Sequence, residues 1–127
     1  MYLLLDPRHE TEIEVAVWDG QGSPQWSVYH RNHTSLFEFL IHSRQLSLKK
    51  LRALTGIFLI PGPGGFSTVR GAAVLTNILG LAAGIPLYPL RPRKRESREA
   101  ALARVFHAPG KSSHFIPPIY GKPPHLS

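Results

Sequence analysis

The residues of this chain with the clearest potential for chemistry form the glycine and proline cluster Pro61–Gly65, within the stretch "IFLIPGPGGFSTVRGAA". An apolar run, Ile57–Ile60, precedes the cluster, and a helix rich in small residues is predicted to follow it. A glycine-rich turn between a strand and a helix N-terminus can bind phosphate, because free backbone amides and the helix dipole converge there. The residues that would form such a loop are Gly62, Gly64, Gly65 and Ser67.

Two known phosphate-binding fingerprints do not fit this cluster. A Walker loop needs Gly-Lys-Ser/Thr, and no lysine lies between Leu51 and Arg93. The dinucleotide pattern G-x-G-x-x-G would begin at Gly62, and its third glycine position holds Ser67. The alternative is a structural turn whose glycines supply positive φ and close backbone approach. The spacing favours the structural turn and leaves a nucleotide-binding loop open.

Histidine and cysteine usage predicts no metal site and no cofactor. His30 and His33 have His-x-x-His spacing, but no third ligand with clear geometry accompanies them, so we interpret them as loop histidines. The seven scattered histidines define no Ser/His/Asp arrangement. The chain has no cysteine, which excludes disulfides and thiolate zinc sites. The histidine pattern therefore provides no candidate catalytic residue.

Length and composition are typical of one domain with a substantial core. The chain has 127 residues, of which 43% are hydrophobic and 9% aromatic. No apolar run approaches the roughly 20 residues of a membrane span, and the opening "MYLLLDPRHE" reaches an acid and a proline too soon for a signal peptide. We expect a soluble, cytoplasmic protein.

Positive charge is concentrated toward the C-terminus. Residues 1–90 hold seven Lys/Arg and six Asp/Glu, a balance of +1, whereas residues 91–127 hold eight and two, a balance of +6. Such a segment either contacts RNA or an acidic protein surface, or is a solvated tail that aids solubility, and composition does not decide between these. The candidate RNA contacts are Arg91, Arg93, Lys94, Arg95 and Arg98.

Periodicity predicts an antiparallel meander followed by helices. Tyr2–Leu5 is a short apolar run, Thr11–Asp19 alternates between apolar and polar positions, and Pro24–His30 supplies a third strand. Helical spacing then predicts helices at Ser35–Arg44 and Leu46–Leu54. Their expected N-caps are Ser35 and Ser47.

The glycine cluster belongs to a predicted strand, helix and strand unit. Ile57–Ile60 reads as a buried strand, Ser67–Ala83 as a helix that Gly84 ends, and Ile85–Leu90 as the next strand. A strand, helix and strand at this spacing form a parallel crossover. The predicted fold class is therefore α/β, with a mixed sheet of about five strands and helices packed on it.

Residues 91–127 are predicted to differ from the rest of the chain. A helix is expected at Glu96–His107. Residues 109–127 are proline-rich without periodicity, and we expect them to be extended and ordered only where something holds them. We therefore divide the chain into a lobe at residues 1–90 and a basic helix with a proline-rich tail at residues 91–127.

The helix after the glycine cluster carries a stripe of small residues at spacings of four and three: Ala72, Thr76, Gly80 and Ala83. A glycine in mid-helix costs about 1 kcal/mol relative to alanine, so we expect a compensating interaction. The stripe is interpreted either as close packing on the protein's own sheet or as a helix-to-helix interface with a partner, and the pattern leaves both open.

The stretch "LSLKKLRALTGIFLIPGPGGFSTVRGAAVLTNILGLAAGIPLYPL" resembles the core of the TsaB (YeaZ) family. That family's pattern reads roughly L-x-D-L-x-A-I-x-V-x-x-G-P-G-S-F-T-G-L-R-x-G, then a small-residue helix and a G-I-P-L strand. The matching positions are Gly62-Pro63-Gly64, Phe66, Arg70 and Gly84-Ile85-Pro86-Leu87. With the opening strands included, the resemblance extends over residues 1–90.

This resemblance implies a fold, a partner and a process. TsaB proteins have the actin-like ATPase (RNase H-like) fold in two lobes and are non-catalytic. They work with the catalytic subunit TsaD, and usually with the ATPase TsaE, to make N6-threonylcarbamoyladenosine at position 37 of tRNA. The resemblance thus implies a single actin-like lobe that forms a heterodimer with a TsaD-type protein and meets tRNA through that complex. It also implies that the isolated chain can form a homodimer.

The resemblance places the partner interface on the helices Ser35–Arg44 and Ser67–Ala83, and it makes the partner interpretation of the small-residue stripe the favoured one. The residues expected to meet the partner are Leu36, Phe37, Leu40, Ala72, Thr76, Leu79, Gly80 and Ala83.

Several departures from the family pattern bear on function. The first strand is followed by Asp6-Pro7-Arg8-His9, a poor phosphate loop, and Gly65, Ser67 and Thr68 replace the usual Ser, Thr and Gly. No histidine pair follows Ile85–Leu90, where TsaD binds its metal. The second lobe does not fit into residues 91–127, although Pro118–Pro124 resembles the closing segment of many family members. Two alternatives therefore stay open: a nucleotide-binding protein that uses the Gly62–Ser67 turn, and a tRNA-binding module driven by the basic tail.

Overall fold

The structure is a computed structural model that describes residues 1–30, 35–43, 46–108 and 110–121. Each predicted strand and helix is present among these residues. In chain order the elements are β1 Tyr2–Asp6, β2 Glu12–Trp18, β3 Ser27–His30, α1 Leu36–Ser43, α2 Leu48–Arg52, β4 Gly56–Leu59, α3 Phe66–Ala83, β5 Leu87–Pro89 and α4 Arg98–His107.

The strands form one mixed sheet of five in the order β3-β2-β1-β4-β5. β2 pairs antiparallel with both β1 and β3, whereas β4 pairs parallel with both β1 and β5. The two parallel pairs need crossover connections, and α3 is the crossover between β4 and β5. The predicted α/β class with a mixed five-stranded sheet is confirmed.

Helices cover both faces of the sheet. Leu3, Leu5 and Ile57 form one buried cluster with residues of α1, α2 and α3. The intervening positions Leu4 and Phe58 form a second buried cluster with residues of α4. Because successive strand residues point to opposite faces, an unbroken apolar run supplies both clusters, which explains why β1 and β4 do not alternate in sequence.

Capping residues set where the helices begin and end. The hydroxyls of Ser35, Ser47 and Ser97 each accept a hydrogen bond from the backbone amide three residues on, at 3.1, 3.2 and 3.0 Å. The N-caps predicted at Ser35 and Ser47 are therefore confirmed, and Ser97 adds an N-cap for α4. After α3, Gly84 adopts the left-handed conformation, with φ of 66°, which ends the helix as predicted.

The described residues beyond β5 pack on the sheet. α4 buries Ala101 and Leu102 in the second cluster. Residues 111–121, which we call the strap, bury Ile116 in the first cluster. The Ile116 amide donates to Asn77 Oδ1 at 2.8 Å, and its carbonyl accepts from Asn77 Nδ2 at 2.9 Å. The helix and the described part of the proline-rich segment beyond residue 90 therefore pack against residues 1–90.

α3 combines length with apolar character. It has 18 residues and a mean hydropathy of 1.3, so by length and composition it could cross a membrane, and 33% of it is buried in the fold. The core helix of a soluble protein meets the same two criteria. Here one side of α3 packs on the sheet. The residues on its other side are described in the next subsection.

Candidate partner-docking surface

The glycine cluster lies directly against the loop that follows β1. A Cβ atom on Gly64 would come within 2.8 Å of the Arg8 Cα, and a Cβ on Gly65 would come within 3.0 Å of the Glu10 Cα. The two glycines therefore permit contact between two backbones that a side chain would force apart. Gly62 has a φ of 126°, which L-residues with a side chain rarely adopt.

Thr68 ties the first turn of α3 to the same loop. Its buried hydroxyl lies 3.0 Å from the Pro7 carbonyl oxygen, 2.8 Å from that of His9 and 3.1 Å from that of Gly65. A hydroxyl has one proton, so it donates to one of these carbonyls at a time. The glycine that the family pattern has at this position would lack the link.

The strap contacts the glycine cluster as well. The Ile119 amide donates to the Pro61 carbonyl oxygen at 2.7 Å. A Cβ on Gly62 would collide with the Ile119 carbonyl oxygen. The ring centroids of Tyr120 and Phe66 lie 4.7 Å apart. The strap and the loop after β1 therefore enclose much of the turn within the chain itself.

The four candidate phosphate-binding residues are placed accordingly. Gly62 is buried, Gly64 and Gly65 are half-buried, and Ser67 is exposed at the start of α3. The close contacts of the three glycines are those of a structural turn, which favours that interpretation over a nucleotide-binding loop.

Asp6, at the end of β1, is buried and doubly paired. Its carboxylate is 4% exposed and accepts hydrogen bonds from Arg8 at 2.9 and 3.0 Å and from Arg98 at 3.0 Å. Burial raises the pKa of Asp6, but the hydrogen bonds and positive charges of Arg8 and Arg98 outweigh burial and lower the pKa below its ordinary value. A carboxylate held in this way is a poor proton acceptor and a poor metal ligand.

Arg98 is engaged inside the fold, which corrects the prediction that it contacts RNA. Its side chain is 17% exposed and pairs with Asp6 and Glu14, and its guanidinium carbon lies 3.8 Å from the centroid of a Trp26 ring. It thereby joins α4 to β1 and β2. The other predicted RNA contacts are exposed in the turn before α4: Arg91, Arg93, Lys94 and Arg95.

The small-residue stripe of α3 packs on the protein's own sheet. Ala72 and Thr76 are fully buried, and a Cβ on Gly80 would come within 2.7 Å of the Leu87 Cδ1 in β5. The partner interpretation is wrong for these residues, because their small size serves close approach between helix and sheet. Four further predicted interface residues pack wholly or partly against the same core: Leu36, Leu40, Leu79 and Ala83.

The side of α3 away from the sheet presents large apolar residues to solvent. Val74, Ile78 and Leu81 are 48%, 55% and 87% exposed. Their spacings of four and three place them on one stripe of the helix. Helical periodicity could have placed these three residues on one stripe, but it does not show that this stripe faces outward.

Two grooves flank the exposed stripe. The first, of about 420 Å³, lies between α1 and α3 and is lined by Phe37, Val74 and Ile78 among others. The second, of about 570 Å³, lies between α3 and the strap and is lined by Leu81 and Phe115 among others. Phe37 was predicted as an interface residue and is exposed as that role requires. We call the following five residues the outer apolar face: Phe37, Val74, Ile78, Leu81 and Phe115.

Some predictions fall wholly or partly outside the described residues. They concern His33, Arg44 and residues 122–124 of the segment that resembles the family's closing sequence. His30 is exposed on β3, with its Nδ1 3.5 Å from the Glu12 Oε1. Within the described ranges, no three His, Cys, Asp or Glu side chains come together as a metal ion would require.

Comparison with known proteins bears on the fold. The chain matches no protein-family model and no curated protein sequence. Its structure is similar to YeaZ from Pseudomonas aeruginosa, with a TM-score of 0.50 and 26% sequence identity, over 86% of this chain and 49% of that chain. The same values hold for a structure described as an uncharacterized protein with similarity to peptidase YeaZ from Pseudomonas aeruginosa. The chain thus spans about half the length of these structures, and it shares the actin-like, RNase H-like fold of YeaZ.

Proposed function

We propose that this chain is a cytoplasmic, non-catalytic subunit that binds a TsaD-type protein through the outer apolar face. In this role it supports N6-threonylcarbamoyladenosine modification at position 37 of tRNA. The observation that carries the proposal is the row of exposed large apolar residues on α3, in a chain whose structure is similar to YeaZ. The Gly62-Pro63-Gly64 turn, which the chain shares with TsaB proteins, leads into this helix.

The outer apolar face exposes enough apolar area for its burial to contribute substantially to the free energy of binding. Fully burying one large aliphatic side chain contributes about 1.5 to 3 kcal/mol. Val74 and Ile78 are about half exposed and Leu81 is almost fully exposed. Burying all three against a partner therefore contributes about 3 to 6 kcal/mol. Single exposed apolar residues are ordinary on a protein surface, whereas a contiguous row of them marks an interaction site.

A helical partner surface fits the shape around α3. When two helices pack, a ridge of side chains on one enters the grooves beside a ridge on the other, and α3 has a groove on each side of its exposed stripe. Arg70 is exposed and lines both grooves. A partner that carries a carboxylate opposite Arg70 would complement this end of the face.

The region around the end of β1 supports a non-catalytic role. Asp6 is neutralised by Arg8 and Arg98, and the strap and the loop after β1 contact the glycine cluster. A catalytic subunit would need groups here that are free to meet a substrate. A docking subunit does not, because the outer apolar face does not include these residues.

Ile78→Glu tests the proposal against a matched control. Ile78 in α3 and Leu48 in α2 are both 55% exposed, so Ile78→Glu and Leu48→Glu place the same charge at equally exposed helix positions. Ile78→Glu should weaken the complex with the TsaD-type protein of the same organism at least about tenfold, because a carboxylate is costly in an apolar interface. Gel filtration and calorimetry measure the complex, and mass spectrometry of tRNA nucleosides measures the modification.

Leu48→Glu should bind and support modification as the unmodified chain does. If a TsaE-type ATPase joins the complex, or the isolated chain forms a homodimer, both species can be followed in the same gel filtration. Homodimerisation through the outer apolar face would also be lost in Ile78→Glu. Equal binding of the TsaD-type protein by both variants, or no complex with the unmodified chain, would refute the proposal.

A further inference from the structure

The turn before α4 is built to hold a fixed conformation. The Glu96 amide donates to the Arg93 carbonyl oxygen at 2.9 Å. In the opposite direction, the Arg93 amide donates to the Glu96 carboxylate, also at 2.9 Å. These two hydrogen bonds close a four-residue turn from Arg93 to Glu96. We call residues 91–96 the basic turn.

α4 clamps the basic turn from outside. The Glu96 carboxylate accepts hydrogen bonds from Arg104 at 2.8 and 3.0 Å, and Arg104 also donates to the Arg91 carbonyl oxygen at 3.1 Å. The hydrogen bonds from Arg104 and from the Arg93 amide lower the pKa of Glu96 to about 2. The clamp therefore stays ionised at neutral pH, and the turn is positioned before any ligand arrives.

Arg95 occupies a backbone conformation that is costly for arginine. Its φ is 66°, and in the described part of the chain it is the one residue other than glycine with a positive φ. Glycine has no Cβ and adopts this conformation without strain, and asparagine tolerates it better than arginine does. Strained residues of this kind concentrate at functional sites. Here the strained residue places a third cation beside Arg93 and Lys94.

The basic turn also carries four exposed cations. Its cations Arg91, Arg93, Lys94 and Arg95 are exposed, and within the described ranges no carboxylate lies within 4 Å of their charged groups, although the charge of Arg93 acts on Glu96 at longer range. Arg98 and Arg104, by contrast, are each bound to carboxylates. Four of the eight Lys/Arg of residues 91–127 are therefore displayed on one ordered turn.

The chemistry of this surface fits phosphodiesters better than protein. Three of its four cations are arginines, whose planar fork matches two oxygens of one phosphate. Protein interfaces need an apolar centre, and apart from Pro92 the turn carries only charged side chains. Nucleic-acid interfaces are polar and strongly positive. We infer that the basic turn binds the phosphodiester backbone of a nucleic acid, independently of the outer apolar face.

Binding of the full chain to labelled tRNA, and to a DNA duplex with the same number of phosphates, tests this inference. Fluorescence anisotropy across a salt series measures both. Four phosphate contacts predict that log K falls with log salt at a slope between about −3 and about −4. Changing Arg93, Lys94 and Arg95 together to glutamine should reduce the slope to about −1 and weaken binding at least about tenfold. Comparison of the two ligands shows whether RNA or DNA is preferred.

α2 offers a control of equal charge. Lys49, Lys50 and Arg52 are also exposed, and changing all three to glutamine removes the same three positive charges. This control should stay within about twofold of the unmodified chain in affinity. Equal losses in the two triple variants, or no loss in either, would overturn the inference. A turn variant that keeps its nucleic-acid affinity but loses the TsaD-type complex would assign the turn to an acidic protein surface and would also overturn it.

Discussion

One methyl group added to Gly80 tests whether α3 packs on β5 as the structure describes. The new Cβ of Gly80→Ala would lie 2.7 Å from the Leu87 Cδ1 and 3.0 and 3.1 Å from its Cγ and Cδ2. Leu87 is fully buried, so its side chain has no open space to move into. Gly71→Ala adds the same methyl group to the same helix, and apart from the adjacent residues and the backbone of its own helix no atom lies within 4 Å of the new carbon.

The two variants should differ in their free energy of unfolding by the cost of overpacking against Leu87. Alanine in place of glycine inside a helix stabilises by about 1 kcal/mol, so Gly71→Ala should raise the free energy of unfolding by about that amount. Gly80→Ala gains the same helix propensity but overpacks the contact with Leu87, which costs about 1 to 3 kcal/mol. Because the propensity term is common to both, the difference between them is the overpacking cost of about 1 to 3 kcal/mol.

Urea unfolding followed by tryptophan fluorescence measures this difference, since the chain has two tryptophans. Gly80→Ala should unfold at lower urea than Gly71→Ala, with the same dependence on urea concentration. If the two free energies of unfolding agree within about 0.5 kcal/mol, the small-residue stripe is not packed on β5. The stripe would then return as a candidate partner surface.

Two further predictions concern the strap and the buried carboxylate. Asn77→Ala removes both hydrogen bonds to Ile116 and should lower the free energy of unfolding by about 1 to 3 kcal/mol. It should also speed limited proteolysis within the strap, and unchanged cleavage would contradict a role of the Asn77–Ile116 hydrogen bonds in holding the strap. Asp6 has a folded-state pKa below its unfolded value of 3.8, so its pairing with Arg8 and Arg98 stabilises the fold above that value and is lost as pH falls through the folded pKa. The stability advantage of the unmodified chain over Asp6→Asn should therefore shrink as pH falls below about 5, and a constant difference would refute the ion-pair account.

The order of strands and helices could be predicted because local signals mark it. Tyr2–Leu5 and Ile57–Ile60 are continuous apolar runs, as strands with both faces buried require. Ser35 and Ser47 mark two helix starts, and Gly84 marks the end of α3. Each signal lies within a few residues of the feature that it predicts.

The orientation of α3 could not be predicted in the same way. Periodicity places Ala72 and Thr76 on one stripe and Val74 and Ile78 on another, but it does not say which stripe meets the sheet. Which stripe meets the sheet depends on the close approach of Gly80 to Leu87, which lies in β5. Periodicity leaves both interpretations of the small-residue stripe open and the family resemblance favours a partner, whereas the structure packs Ala72 and Thr76 inside the chain itself.

Contacts between residues far apart in sequence could not be predicted for the C-terminal region. Arg98 belongs to a basic stretch in sequence, yet it binds Asp6, 92 residues earlier in the chain. Ile116 lies in a stretch without periodicity, yet Asn77, 39 residues away, holds both of its backbone groups. Charge composition and periodicity describe neighbours in sequence and do not report such tertiary partners.

The most direct test of the proposed function follows the accessibility of the outer apolar face itself. The chain has no cysteine, so Leu81→Cys introduces a single thiol at a position that is 87% exposed, and Leu48→Cys introduces one at a position on α2 that is 55% exposed. The rate of thiol modification is measured with and without a saturating TsaD-type partner. Docking through the outer apolar face predicts at least about tenfold slower modification in Leu81→Cys and no change in Leu48→Cys. An unchanged rate in Leu81→Cys within a formed complex would contradict the account.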